Sequence, residues 1–221
     1  MKVDKLIANN QPVNWFQTVT RECQQYPINK VDIQKDELVL DIGANVGGFW
    51  NAWKWRFDNW NLVEPSVYNC EQIRLNGYEG PVLRHAVGKK SGEIIKLQKY
   101  WGDGDNDTLS GNFGTLQFVN AENGHGWYGD YEEVSTISFE DIVGDKEVGL
   151  LKIDCEGAEF DFLYKKDLSK IKYIVGEFHN LLFQYDDRGV TLLEFIRETH
   201  NEIYSEGDGI HSHYIKLFKR K

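Results

Sequence analysis

Three carboxylates crowd the run Asp154-Cys155-Glu156-Gly157-Ala158-Glu159, and Glu177-Phe178-His179 sets a carboxylate two residues from an imidazole. Residues two apart on an extended chain share a face, so Glu177 and His179 are expected on one side. An imidazole titrates near neutrality, and a base that takes the proton as a new bond forms accelerates transfer to a hydroxyl. His179 is the candidate base, with Glu177, Asp154 and Glu156 around it; crowded carboxylates favour its protonated form. Asp154, Glu156, Glu177 and His179 are also a candidate ligand set for a divalent metal. Oxygen ligands with one imidazole suit magnesium or manganese better than zinc. Their spacing is not diagnostic of a metal, so that reading ranks second. Cys155 reads as a small buried apolar residue, and Glu159 as first-turn acid favouring a helix dipole.

A second constellation, Asp41-Ile42-Gly43-Ala44-Asn45-Val46-Gly47, has the form of a strand end turning into a helix. Glycine at 43 permits a tight turn and a close backbone approach to a ligand. Gly47 is expected to let the helix pack against the strand. Glu64 closes the next apolar run, where a carboxylate can accept both hydroxyls of a ribose. The dinucleotide fingerprint needs glycines where this chain has Asp41 and Val46. An acid in place of the first glycine argues against pyrophosphate and suits a cationic ligand without phosphate, such as S-adenosylmethionine.

The elements that must position these residues follow from periodicity. Leu38 to Ile42, Trp60 to Glu64, Val82 to Val87, Leu150 to Asp154 and Tyr173 to Phe178 read as strands. Phe49, Trp50, Trp53 and Phe57 recur at helical spacing, which places the tryptophans 50, 53 and 55 mostly in the core. Ser66 is a candidate N-cap for the next helix, and further helices are expected near 159–165 and 190–200. Glu202 to Phe218 reads as a hairpin turned at Gly207-Asp208-Gly209. Strand–helix alternation implies an α/β, doubly wound, mostly parallel sheet with an antiparallel C-terminal edge. Val13 to Tyr26 reads as an amphipathic helix lying against it. Residues 98–131 break the rhythm with seven of the 21 glycines and five Trp and Tyr residues. So long a loop suits the acceptor side of a site.

Composition removes several classes of function. The 221 residues make one domain, and 25 basic against 35 acidic side chains leave a net charge of −10. That balance argues against nucleic acid and anionic membrane as partners. No run has the roughly 20 apolar residues of a membrane helix, and Met1 to Asn10 is too polar for a signal peptide. The three cysteines form no CxxC, so reduced thiols in a cytoplasmic setting are expected.

LVLDIGANVGGF, NLVEPS, HAVG, LLKIDCEGAE and GEFH occur in that order, and together they resemble the FkbM-type S-adenosylmethionine-dependent methyltransferases. The resemblance covers about residues 36–182; KIDCEGAE and the ExH of Glu177-Phe178-His179 are its most specific pieces. It implies a seven-stranded Rossmann-like sheet and O-methylation of a sugar, glycan or natural-product hydroxyl. For the cofactor it implies Asp41, Gly43 and Gly47 in the first turn, with Asn45 inside it. It also implies Glu64 on the ribose, Ala86-Val87 near the adenine and Asp154 at the same cleft. The expected organisation is a helical extension over 1–35, the family-like core over 36–182, an insertion at 98–131, and a C-terminal helix and hairpin over 183–221. The competing functions are a metal-assisted hydrolase built on the acidic cluster and a non-catalytic cofactor-binding subunit.

Overall fold

The computed structural model describes residues 11–98, 131–179, 187–206 and 213–221; at 11–15, 98, 131, 179, 213 and 214 it describes the backbone alone. Its frame is a seven-stranded sheet. The apolar runs form β1 (Val39–Ile42), β2 (Trp60–Val63), β7 (Val148–Ile153) and β8 (Ile171–His179), and the tail forms β9 (His200–Glu206) and β10 (His213–Arg220). With β3 (Val82–Leu83) at one edge, the order is β3-β2-β1-β7-β8-β10-β9. The first five strands are parallel; β10 runs antiparallel to both β8 and β9. The expected doubly wound sheet and closing hairpin are therefore both present. The turn at 207–209 lies outside the described residues.

Side chains alternate between two apolar layers, as strand geometry requires. Leu40, Ile42, Leu151, Ile153 and Ile174 enter one cluster, together with Phe162, Leu192 and Ile196. Those three come from α5 (Glu159–Leu163) and α6 (Arg188–Thr199), and α4 (Phe139–Val143) adds Phe139, Ile142 and Val143 to the same cluster. Val39, Leu150, Tyr173 and Val175 enter the other, against α1 (Gln11–Cys23), α2 (Gly48–Trp53) and the 3₁₀ turn Ile28–Lys30. Ser66 caps α3 (Val67–Leu75) by accepting from the Asn69 N–H at 3.3 Å.

Three local expectations are corrected. The run 82–87 is two strands: β3 joins the main sheet, while β4 (Ala86–Val87) joins a three-stranded sheet, β4-β6-β5. The partners β5 (Ile94–Gln98) and β6 (Tyr131–Ile137) escaped notice because their sequences are mixed and polar. Gln98 pairs with Tyr131, so the two ends of the glycine-rich stretch lie side by side; residues 99–130 lie outside the described residues. The helix after the first turn stops at Trp53, short of Phe57, and Trp55 is 66% exposed rather than in the core.

The N-terminal segment is tightly fastened to α2. Asn51 Nδ2 donates to Thr20 Oγ1 at 3.2 Å, Trp53 Nε1 to the Cys23 carbonyl at 3.0 Å, and an Arg56 amino group to the Val31 carbonyl at 2.5 Å. The two helices approach so closely at Gly48 that an added Cβ would lie 2.5 Å from Val19 Cγ1 and 3.0 Å from the Val19 carbonyl carbon. We expect Gly48→Ala to lower unfolding stability by about 1–3 kcal/mol in urea titration, because overpacking forces backbone shifts. Adding Val19→Ala should recover only part, since the contact with the Val19 backbone remains.

Candidate active site

Parallel register sets the height of the strand ends. Ile42 pairs with Val63 on one side and Ile153 on the other, and Ile153 pairs with Gly176. One residue further along lie Gly43, Glu64, Asp154 and Glu177. These four stand on a single rung at the carboxyl edge of β2, β1, β7 and β8, spread over roughly 14 Å at the usual strand spacing. Backbone bonds lock the rung. The N–H groups of Gly43 and Ala44 donate to the Val63 carbonyl at 3.0 and 3.1 Å, and that of Asp154 to Ile42 at 3.1 Å.

Gly43 has φ 74°, and a Cβ on it would fall 1.9 Å from the Asp154 carbonyl oxygen. The space that glycine preserves is thus taken by the neighbouring strand end. Gly47 also has a reason other than the expected one. Its φ is 86°, while a Cβ there would meet Ile73 of α3 at an ordinary 3.5 Å. The left-handed turn requires the glycine; packing against the strand does not. Asn45, between them, is itself left-handed at φ 51°, and its Oδ1 is buried with no hydrogen-bond partner among the described residues.

Glu64 is 3% exposed. Its Oε1 accepts from the Ser66 N–H at 3.0 Å and from Asn69 Nδ2 at 3.1 Å, and its Oε2 from the Asn45 N–H at 2.8 Å. A carboxylate offers about four acceptor positions, so these three leave room for one more donor on Oε2. Burial pushes the Glu64 carboxyl up to about 7, against the opposing pull of these hydrogen bonds.

Asp41 and Lys152 are paired residues on β1 and β7. Lys152 Nζ lies 3.1 Å from Asp41 Oδ1 and 3.7 Å from Asp154 Oδ2, with the Asp41 side chain fully buried and that of Lys152 3% exposed. The ammonium also donates to the Gly43 carbonyl at 2.8 Å. Burial alone would lower its pKa, but Asp41 and then Asp154 reverse this and hold it charged above the ordinary lysine value. Burial pushes the Asp41 carboxyl up, with Lys152 opposing. Asp41 Oδ2 finds no hydrogen-bond partner among the described residues.

The acidic loop after β7 turns sharply: Glu156 is left-handed at φ 53° and Gly157 follows at φ 102°. Glu159, 3% exposed, accepts from the Cys155 N–H at 3.1 Å, so it braces this loop as well as standing in the first turn of α5. Cys155 is a buried core residue whose thiol burial pushes far up, which leaves it no nucleophile. Glu177 lies on the face of β8 that carries Val175. His179 ends β8, its backbone paired with His213; its side chain lies outside the described residues. Ala86 and Val87 are buried in β4, and Val87 packs in the same cluster as Ile42 and Val63. His85 is structural, its Nδ1 lying 2.8 Å from Ser135 Oγ. Among the described residues, no group of three or more His, Cys, Asp and Glu could hold a metal ion, and no helix is long and apolar enough to cross a membrane.

A family model, the methyltransferase FkbM domain, matches residues 41–206. The chain belongs to this family. It is accordingly an S-adenosylmethionine-dependent methyltransferase, which sets aside the hydrolase and non-catalytic readings. Among solved structures, precorrin-6y C5,15-methyltransferase from Geobacter metallireducens aligns at 14% identity and TM-score 0.46, over 93% of this chain and 88% of that one. The ribosomal protein L11 methylase of Lactobacillus delbrueckii subsp. bulgaricus aligns at 11% and 0.44, over 94% and 79%. TrmK of M. capricolum, with S-adenosyl-homocysteine, aligns at 11% and 0.43, over 93% and 67%. No curated protein matches the chain.

Two residues at this edge were not singled out from the sequence. One is Lys152. The signal was there: LVLDIG and LLKID each carry one charge just before a strand end, and a buried strand lysine needs an acid partner. Tyr26, whose hydroxyl donates to Asp154 Oδ2 at 3.3 Å, lies 128 residues away, beyond any local pattern.

Lys152→Met should cost about 3–5 kcal/mol of unfolding stability, because it strands a buried carboxylate. Asp41→Asn with Lys152→Met should cost clearly less than the single change; equal losses would show that the two charges are not coupled. Gly43→Ala should fail to give a cooperative melt, since both its φ and the 1.9 Å approach to Asp154 exclude a methyl group.

Proposed function

We propose that the chain methylates an oxygen of a sugar or small natural-product hydroxyl, at the carboxyl edge of β1, β2, β7 and β8. The observation that carries this reading is the common rung of Gly43, Glu64, Asp154 and Glu177. It sets a glycine turn and three carboxylates side by side where ligands of doubly wound sheets bind. The edge suits the cofactor: Asn45 Oδ1 is buried without a partner among the described residues, and Glu64 Oε2 has room for one donor.

In this reading Glu64 accepts a ribose hydroxyl, the turn from Gly43 to Gly47 with Asn45 faces the methionine half, and Ala86 and Val87 flank the adenine. Asp41 works at one remove, by holding Lys152 and through it the Gly43 carbonyl. When bound, the cofactor supplies an electrophilic methyl group on a sulfonium. The chain's share is to align the acceptor oxygen and to remove its proton. We assign proton removal to His179 and its orientation to Glu177, with Glu156 on the acceptor side and Asp154 between the acceptor and the cofactor, facing the cofactor's cationic end. A hydroxyl acceptor releases a proton for every methyl group it takes, which gives a base at this edge its purpose.

Calorimetric titration with S-adenosylmethionine tests the reading. With Glu64 near 7 when free and its anion favoured by a donating ribose hydroxyl, binding should release a proton around neutrality. Affinity should therefore rise about tenfold from pH 6 to pH 8, the interval in which the free carboxyl ionises. Glu64→Gln removes this group while the cofactor's own ionisation remains, so the difference between the two proteins isolates it. Equal pH dependence in both would take Glu64 off the ribose.

A further inference from the structure

Tyr26 stands ahead of residues 41–206, the stretch matched by the family, yet its hydroxyl reaches Asp154 Oδ2 at 3.3 Å. The same oxygen lies 3.7 Å from Lys152 Nζ. One hydroxyl donor and one nearby ammonium, both from buried residues, thus hold one oxygen of Asp154 on the inner side of the edge. The carboxylate nonetheless keeps 27% of its side-chain surface exposed, so it is anchored at one end and open at the other. Tyr26 itself has little freedom. It is 6% exposed, and its ring meets Phe49 edge-on at 5.4 Å, which in turn meets Trp60 at 5.9 Å. Burial, then Asp154, Cys23, Glu177 and Asp41, push the phenol well above its ordinary value, so it remains a protonated donor.

We propose that Tyr26 is a positioning residue of the active site, orienting the Asp154 carboxylate toward the ligand-bearing side of the strand edge. The segment before the family core is then a working part of the site. This rests on the reading above, in which the edge of β1, β2, β7 and β8 binds S-adenosylmethionine and Asp154 faces it. A carboxylate held in one orientation presents its charge to a cationic ligand without first losing rotamer freedom, and removing its anchor restores that cost.

The test is a double-mutant cycle read by calorimetric titration with S-adenosylmethionine. Tyr26→Phe keeps the ring and its packing while deleting the hydroxyl, and a melting curve checks that the fold is kept. It should weaken binding about three- to tenfold, the scale of a lost hydrogen bond to a charged group acting indirectly. Asp154→Asn should weaken binding by at least as much, and Tyr26→Phe added to it should cost nothing further. Independent, additive losses, or unchanged affinity in Tyr26→Phe, would overturn the positioning role while leaving the cofactor site in place. Failure of the unaltered protein to bind S-adenosylmethionine would overturn the underlying reading as well.

Discussion

A lysine ammonium buried between two carboxylates is the constraint on which the arrangement of this edge depends. Lys152 can keep its charge inside the fold only because Asp41 lies 3.1 Å away on the adjacent strand. Asp41 in turn is fully buried and would be intolerable as a lone charge. The pair fixes the lateral register of β1 against β7, because a slip would separate the two charges in a medium where separation is costly. It also reaches outward. The same ammonium bonds the Gly43 carbonyl and lies near Asp154, so one cation ties the first turn to the acidic loop. Such a pair adds little net stability compared with apolar residues of similar size. Its contribution is to make one relative placement of the two strand ends far better than its neighbours.

Given that placement, the chemistry of the edge follows from strand geometry. In a parallel ladder, residues in register face the same way, so Asp41, Lys152 and Val175 share a face, and Gly43, Asp154 and Glu177 continue it one step further. The opposite face carries Ile42 and Ile153 into the apolar cluster. The polar groups therefore collect on the side covered by α1, Tyr26 and α2, and not on the side of α5 and α6. Phe49 makes this cover more than apolar filling, since Lys152 Nζ lies 5.9 Å from its ring centroid. An aromatic face is one of the few apolar surfaces that a buried cation tolerates.

Much of this was legible because it is written locally. Apolar runs ending in Asp41, Glu64 and Asp154 announce buried strands with polar ends. Ser66 announces a cap, and glycine at 43 and 47 announces a turn that other residues cannot make. The residues were right where the causes were local, but a reason could still be non-local. Gly43 is glycine because Asp154, more than a hundred positions later, occupies the space. Helix length misled for a related reason: Phe57 keeps helical phase with Phe49, yet reaches the core by a turn beyond Trp53. The small sheet β4-β6-β5 was illegible because its strands bury little, so their alternation is faint. Leu97 and Val134 are among the few side chains it hides.

The least legible part, the N-terminal segment, is also the most informative about how the site is finished. Nothing in residues 16–31 looks like chemistry, and only the fold brings Cys23 and Tyr26 over the Asp41–Lys152 pair. Their contribution is to exclude water. An ion pair strengthens as its surroundings lose water, while each unpartnered polar atom there becomes more expensive. Asp41 Oδ2 and Asn45 Oδ1 are such atoms, buried without partners among the described residues. Each such atom calls for a partner beyond these side chains, an ordered water or a ligand group. The cover thus strengthens the Asp41–Lys152 pair and, by the same physics, raises the gain when a hydrogen-bond donor of a ligand meets Asn45 Oδ1.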